Sequence, residues 1–120
     1  MDFRLTEIQR DLQEAARKFA RTELVDLARD LEEKAEPVPH EWVRRYAELG
    51  FLGINVAEEY GGMGLGNLEA LLVVEEFAKI SSAVAFPVFE SCVGPVRAIE
   101  RFAPESLKAR VIPAVCRGEK

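Results

Sequence analysis

Apolar residues recur at helical spacing along almost the whole chain, and prolines and glycines cut that pattern into lengths. Thr6-Glu-Ile-Gln9 fits a capping box, in which a hydroxyl and an amide three residues apart satisfy two orphan N–H groups. Ile8, Leu12, Ala15, Ala16 and Phe19 follow on one stripe, continued with a phase shift by Leu24, Leu27 and Leu31. This predicts one long helix bent near residues 22–26. Pro37-Val-Pro39 stops it, because proline lacks the N–H and restricts the residue before it. A second helix is expected from about Pro39 to Leu49, with Gly50 as its C′ residue. Phe51 to Val56 is apolar, extended at most, and too isolated to found a sheet.

Asn67 is expected to cap a helix from Leu68 to Ile80 that is apolar nearly all round and therefore central. Ala83 to Val93 reads as another buried helix, which Pro87 should bend or delay. Pro95 opens a short helix to Phe102, and Pro104 opens a last one from about Glu105 to Cys116. The expected fold is all-α: about six helices in one orthogonal or up-and-down bundle over residues 1–120. At 120 residues, a chain can bury roughly two-thirds of its unfolded surface, enough for a core without staples.

Charge narrows the partners. The net charge is −5 and no basic stripe is present, which disfavours nucleic acid. No apolar run approaches bilayer length. The opening MDFRLTEIQRD lacks a signal peptide's apolar stretch and carries early acids. A cytoplasmic protein is expected, or a fragment whose presequence is absent. Cys92 and Cys116 show no metal spacing and are expected as reduced, packed thiols. His40 is the only histidine and reads as a surface or capping residue. No metal site is expected.

The stretch EEYGGMGLGNLEA, residues 58–70, raises the question of a phosphate cradle. Its glycines, at 61, 62, 64 and 66, give G-x-G-x-G, whereas a dinucleotide fingerprint needs G-x-G-x-x-G between a strand and a helix. A tight turn using positive φ is the expected role. Glu58-Glu59 and Glu75-Glu76 are adjacent acids that point in different directions on a helix. They are expected on a solvated face or in a helix–helix salt bridge.

The same stretch, extended to VAEEYGGMGLGNLEALLVVEEFAK, resembles the acyl-CoA dehydrogenase family, whose Pro-Glu-Glu-Tyr-Gly-Gly-x-Gly-Leu turn leads into a helix ending Glu-Glu-Leu/Phe-Ala. LTEIQRDLQEAARKFARTEL, WVRRYAELGFLGINV and RFAPESLKARVIPAVCRGEK are similar to further family segments, in order. Ala57 replaces the usual proline, and Asp26 stands where many members have one. The resemblance implies the N-terminal helical domain of an FAD-dependent enzyme that oxidises acyl-CoA to 2-enoyl-CoA. The family's electrons pass to an electron-transfer flavoprotein. Its middle β-domain and C-terminal helical domain, which hold the flavin strands and the catalytic base, have no counterpart here. No catalytic or cofactor-binding residue is therefore assigned.

By the same resemblance, Ala85, Phe86, Phe89 and Val93 match the family's pocket-bottom helix and would line the acyl chain. Leu12, Phe51, Met63 and Val73 match the apolar patch that receives the electron-transfer flavoprotein. The complete enzyme would be a homo-oligomer, tetramer or dimer. The competing expectations are a stand-alone helical subunit or interaction module, or the same domain of an acyl-CoA oxidase or flavin monooxygenase.

Overall fold

A computed structural model describes residues 3–119; Met1, Asp2 and Lys120, the ends of the expected domain, lie outside the described residues. Within 3–119 the ordered elements are helical, and they follow the proline and glycine punctuation. Helix α1 is Glu7–Phe19, and it passes through a π-helical turn at Ala20–Leu24 into α2, Val25–Lys34. The remaining helices are α3 (His40–Glu48), α4 (Asn67–Ala78), α5 (Ser82–Cys92), α6 (Pro95–Phe102) and α7 (Glu105–Cys116). A single 3₁₀ turn lies at Glu58–Tyr60. Counting α1–α2 as one bent rod gives the expected six among the described residues.

Local chemistry accounts for the helix ends. Thr6 Oγ1 accepts from the Gln9 N–H and Gln9 Oε1 accepts from the Thr6 N–H, completing the capping box. The expected bend is the π turn, where the Thr22 hydroxyl donates back to the Lys18 carbonyl at 2.7 Å. Helix α3 ends in a Schellman arrangement. The Phe51 N–H donates to Tyr46 O, the Gly50 N–H donates to Ala47 O, and Gly50 sits at φ +81°.

Three expectations change. Gly66, not Asn67, is the N-cap of α4; its N–H donates to Glu69 Oε2, while Asn67 Oδ1 accepts from buried Asn55 Nδ2 at 2.7 Å. Pro87 does not delay α5, which begins at Ser82 under a cap from the Ser81 hydroxyl. Third, Ser82–Phe102 is a 21-residue helical run that is long and apolar enough, by length and composition, to cross a membrane. Gly94, at φ −95° and ψ −115°, breaks that run. Val84, Val88 and Cys92 on its inner side are buried in the core.

The helices form a slab 41 × 39 × 20 Å, about two helix diameters thick. Helix α4 packs between α1 and α5, and α5 leads through α6 to α7. The centre is aromatic. Phe19, Tyr46, Phe51 and Phe77 stand with ring centroids 5.2 to 5.8 Å apart, mostly tilted or edge-to-face. The Tyr46 hydroxyl donates to Val84 O at 2.9 Å, tying α3 to α5. Burial pushes the Tyr46 phenol up from its ordinary range. Ile8 and Ala15, expected on the inner stripe, are exposed, so the inner face of α1 is carried by Ala16, Phe19 and the half-buried Leu12.

Among the described residues, one ion pair has a fully buried acid. Glu76 on α4 is 2% exposed and takes a bidentate bond from Arg17 of α1, at 3.0 and 3.3 Å, with Lys79 Nζ at 3.1 Å. This is the helix–helix bridge expected of the Glu75-Glu76 pair; Glu75 itself meets Lys79 near the surface. The Arg17 hydrogen bond holds the Glu76 carboxyl below its ordinary value of 4.5. A depressed carboxylate pKa contributes stability above the unfolded value that is lost as pH falls through the folded one. Glu76→Gln should therefore cost about 1–3 kcal/mol at neutral pH. In urea melts as a function of pH, its deficit against the unaltered protein should shrink as pH falls below 4.5.

Candidate functional site

The outer stripe of α5 is the most distinctive surface. Ser82, Phe86, Phe89, Glu90 and Val93 are all exposed and recur at helical spacing, with Val93 capping the helix end. Phe86 is 53%, Phe89 41% and Val93 39% exposed. The two phenylalanine rings stack edge-to-face with centroids 6.2 Å apart. Phe89 also closes over Gly94, where an added Cβ would stand 3.1 Å from its ring. Two further apolar residues face outward on neighbouring α4, Leu68 at 51% and Leu71 at 50%. Exposed apolar side chains that cluster on a surface are a common feature of contact sites.

Beside the stripe lies a cleft of about 550 Å³, bounded by α5, the α2–α3 connection, α6 and the end of α7. Phe86 and Glu90 line its mouth on one side, and Val38, Val43, Ile99 and Val115 line the other walls. Pro87 also lines it, and having no N–H it leaves the Ala83 carbonyl without its helical donor. His40 stands on the rim at the first turn of α3 and is exposed, in line with its expected surface position.

The expected acyl-lining set is only partly brought together. Phe86, Phe89 and Val93 share the outer stripe, but Ala85 is 5% exposed and belongs to the core. Its position on α5, one residue before Phe86, turns it about 100° inward. Glu90 was not singled out by sequence, although its i+4 spacing from Phe86 places it on the same stripe.

The expected partner patch divides more sharply. Met63 is 41% exposed, its sulfur lying over Gly50. Leu12 is half-buried. Phe51 and Val73 are 3% and 0% exposed, so neither presents a surface to a partner. Both belong to the buried core cluster, although the resemblance matched them to a surface patch.

The glycine corner is a closed turn. The N–H groups of Tyr60, Gly61, Gly62, Met63, Gly64 and Leu65 donate to the carbonyls of Ala57, Glu58, Ala57, Gly53, Val56 and Ile54. The Gly66 N–H goes to Glu69. No N–H in 60–66 is left to point at a phosphate, and a cradle needs several. Gly61 and Gly64 use positive φ, +91° and +68°. Gly62 is required by proximity: a Cβ there would stand 2.2 Å from Val56 O.

Elsewhere, the titratable groups are structural. Tyr60 donates to Glu105 at 2.7 Å, and this bond pushes the phenol up to about 12. Burial pushes the Cys116 thiol up to about 11, which suits a packed, unreactive group. Cys92 and Cys116 are both free and buried. Among the described residues, no group of three His, Cys, Asp or Glu side chains is placed to hold a metal.

A family model described as the acyl-CoA dehydrogenase N-terminal domain matches residues 6–119. The chain belongs to this family. Acryloyl-CoA reductase (NADH) of Anaerotignum propionicum is 34% identical over 118 residues, covering 98% of this chain and 29% of that protein. Glutaryl-CoA dehydrogenase of Desulfococcus multivorans is also 34% identical, over 121 residues, 99% of this chain and 31% of that protein. Among solved structures, butyryl-CoA dehydrogenase of Megasphaera elsdenii superposes with a TM-score of 0.85 at 29% identity, covering 100% of this chain and 32% of that one. The chain thus spans under a third of the length of these relatives.

As an acyl-CoA dehydrogenase N-terminal domain, the chain shows why one family proline is dispensable here. Ala57 adopts φ −58°, the value a proline would fix, and its N–H donates to Glu100 at 3.2 Å, a bond proline could not make. Asp26 lies on the exposed side of α2, 4.0 Å from Arg29, and nothing in the structure explains its replacing a proline. The glycine corner, with its donors consumed, does not fit a flavin pyrophosphate, and no step through a flavin is derived from these residues. Gly62→Ala should lower stability by about 3 kcal/mol, because Val56 O cannot retreat without breaking its bond to Gly64. Urea denaturation of the variant checks this.

Proposed function

We propose that this chain acts as the N-terminal helical part of an FAD-dependent acyl-CoA dehydrogenase, closing one side of the acyl pocket with the outer stripe of α5. The exposed Phe86–Phe89 pair carries the proposal, because two large apolar rings left open on a helix need a covering group. Acyl chains supply apolar carbon, and the relatives named above all act on acyl-CoA thioesters. The flavin would supply the acceptor for the hydride, and no residue of 1–120 is assigned to hold it or to act as the base. In this view Phe86 and Phe89 shorten the pocket and favour short or branched chains. The complete enzyme is proposed as a cytoplasmic homo-oligomer that donates its electrons to an electron-transfer flavoprotein.

The test compares FAD and acyl-CoA binding by the 120-residue chain and by the product of its whole reading frame. The longer product should bind both and the 120-residue chain neither. FAD binding by the 120-residue chain alone would reopen the glycine corner, and a whole product that binds neither would end the proposal. In the whole product, Phe89→Ala should raise the octanoyl-to-butyryl kcat/KM ratio about tenfold.

Of the four residues matched to the electron-acceptor patch, Met63 has the most exposed surface for docking. Met63→Asp should slow reduction of the electron-transfer flavoprotein about tenfold while leaving the thermal melt in place. An unchanged rate would remove Met63 from the interface.

A further inference from the structure

We propose that Glu90 makes this site selective for acyl groups that end in uncharged carbon, rejecting those that end in a carboxylate or another anion. The proposal rests on the acyl-pocket reading of α5 and adds a substrate class to it.

Glu90 is the only charged residue of α5, whose sequence is SAVAFPVFESC. It follows the Phe86–Phe89 pair on the same outer stripe, one turn beyond Phe86. A chain running over those rings toward the C-terminal end of α5 would bring its far end to Glu90 or to the cleft that Glu90 and Phe86 border. No lysine or arginine lines that cleft; its titratable residues are Glu90 and His40. Among the described residues Glu90 forms no ion pair, so its charge is not neutralised by a neighbour. On adjoining α6, Arg97 is committed to Glu100 at 2.6 Å and to the Asn55 carbonyl, and it is not available as a counter-ion.

An uncharged acyl end meets phenylalanine rings and the valines and isoleucine of the cleft. An anionic end meets the same apolar walls, loses water, and faces a carboxylate with no lysine or arginine to offset it. Like charges in such a setting cost far more than in bulk water. Discrimination of about a hundredfold is expected from one such contact.

The experiment uses the flavin-loaded product of the whole reading frame. Turnover of butyryl-CoA and glutaryl-CoA is measured alongside calorimetric dissociation constants for crotonyl-CoA and glutaconyl-CoA. The unaltered protein should favour the uncharged member of each pair about a hundredfold. Glu90→Gln should narrow both ratios about tenfold, and Glu90→Lys should narrow them further. Equal use of glutaryl-CoA and butyryl-CoA by the unaltered protein would overturn the proposal. So would ratios that neither substitution moves, since that places selection elsewhere. If the protein binds no acyl-CoA of either kind, the acyl-pocket reading itself fails and takes this inference with it.

Discussion

The fold depends on burying a segment that has no regular structure of its own. Residues 51–56 run through the core with Phe51, Leu52, Ile54, Asn55 and Val56 between 0 and 6% exposed. A buried coil would strand its peptide groups, and each unpaired one would cost about as much as a lost hydrogen bond. Partners arrive from three directions. Ser91 Oγ takes the Gly53 N–H and Cys92 Sγ takes the Ile54 N–H, both from α5. The glycine corner folds back so that Met63, Gly64 and Leu65 donate to Gly53, Val56 and Ile54. Arg97 and Glu100 of α6 take the Asn55 carbonyl and the Ala57 N–H. Only Asn55 Oδ1 is left, among the buried described side-chain atoms, without a partner.

This arrangement ties the glycine corner to the outer surface of α5. Helix α5 must present Val84, Val88, Ser91 and Cys92 inward to hold the coil and the aromatic cluster. With 100° per residue, Phe86, Phe89, Glu90 and Val93 are then turned outward. The face that supports the core and the face that carries the candidate site are two sides of one helix. The α1–α4 bridge through Arg17 and Glu76 sets the other side of the slab, and Arg45 joins α3 to the π turn through Glu23 while lying 5.7 Å over Phe19.

Much of this was legible in the chain. Proline and glycine act through φ and the missing N–H, which are local properties, so helix limits such as Pro95–Phe102 and Glu105–Cys116 follow from them directly. The capping box at Thr6 and the Schellman end at Gly50 are local in the same sense. The cap of α4 was misplaced because Asn67 had a better partner in Asn55, twelve residues earlier and invisible to local spacing. The candidate site came from the resemblance and not from spacing. The resemblance named Ala85, Phe86, Phe89 and Val93 together, and nothing local told buried Ala85 from the exposed three or tied Glu90 to the cleft.

The sequence by itself determined that the chain is helical, where its helices begin and end, and which family it resembles, because caps, breakers and ordered motifs act over a few residues. The tertiary structure decided which apolar residues are core and which are surface. Phe51 and Val73 were drawn inside while Met63 and Phe86 stayed out, although all four are large apolar residues. That choice belongs to packing: in this arrangement of the helices the four aromatic rings and the buried coil are satisfied together, and the faces left over became the surface.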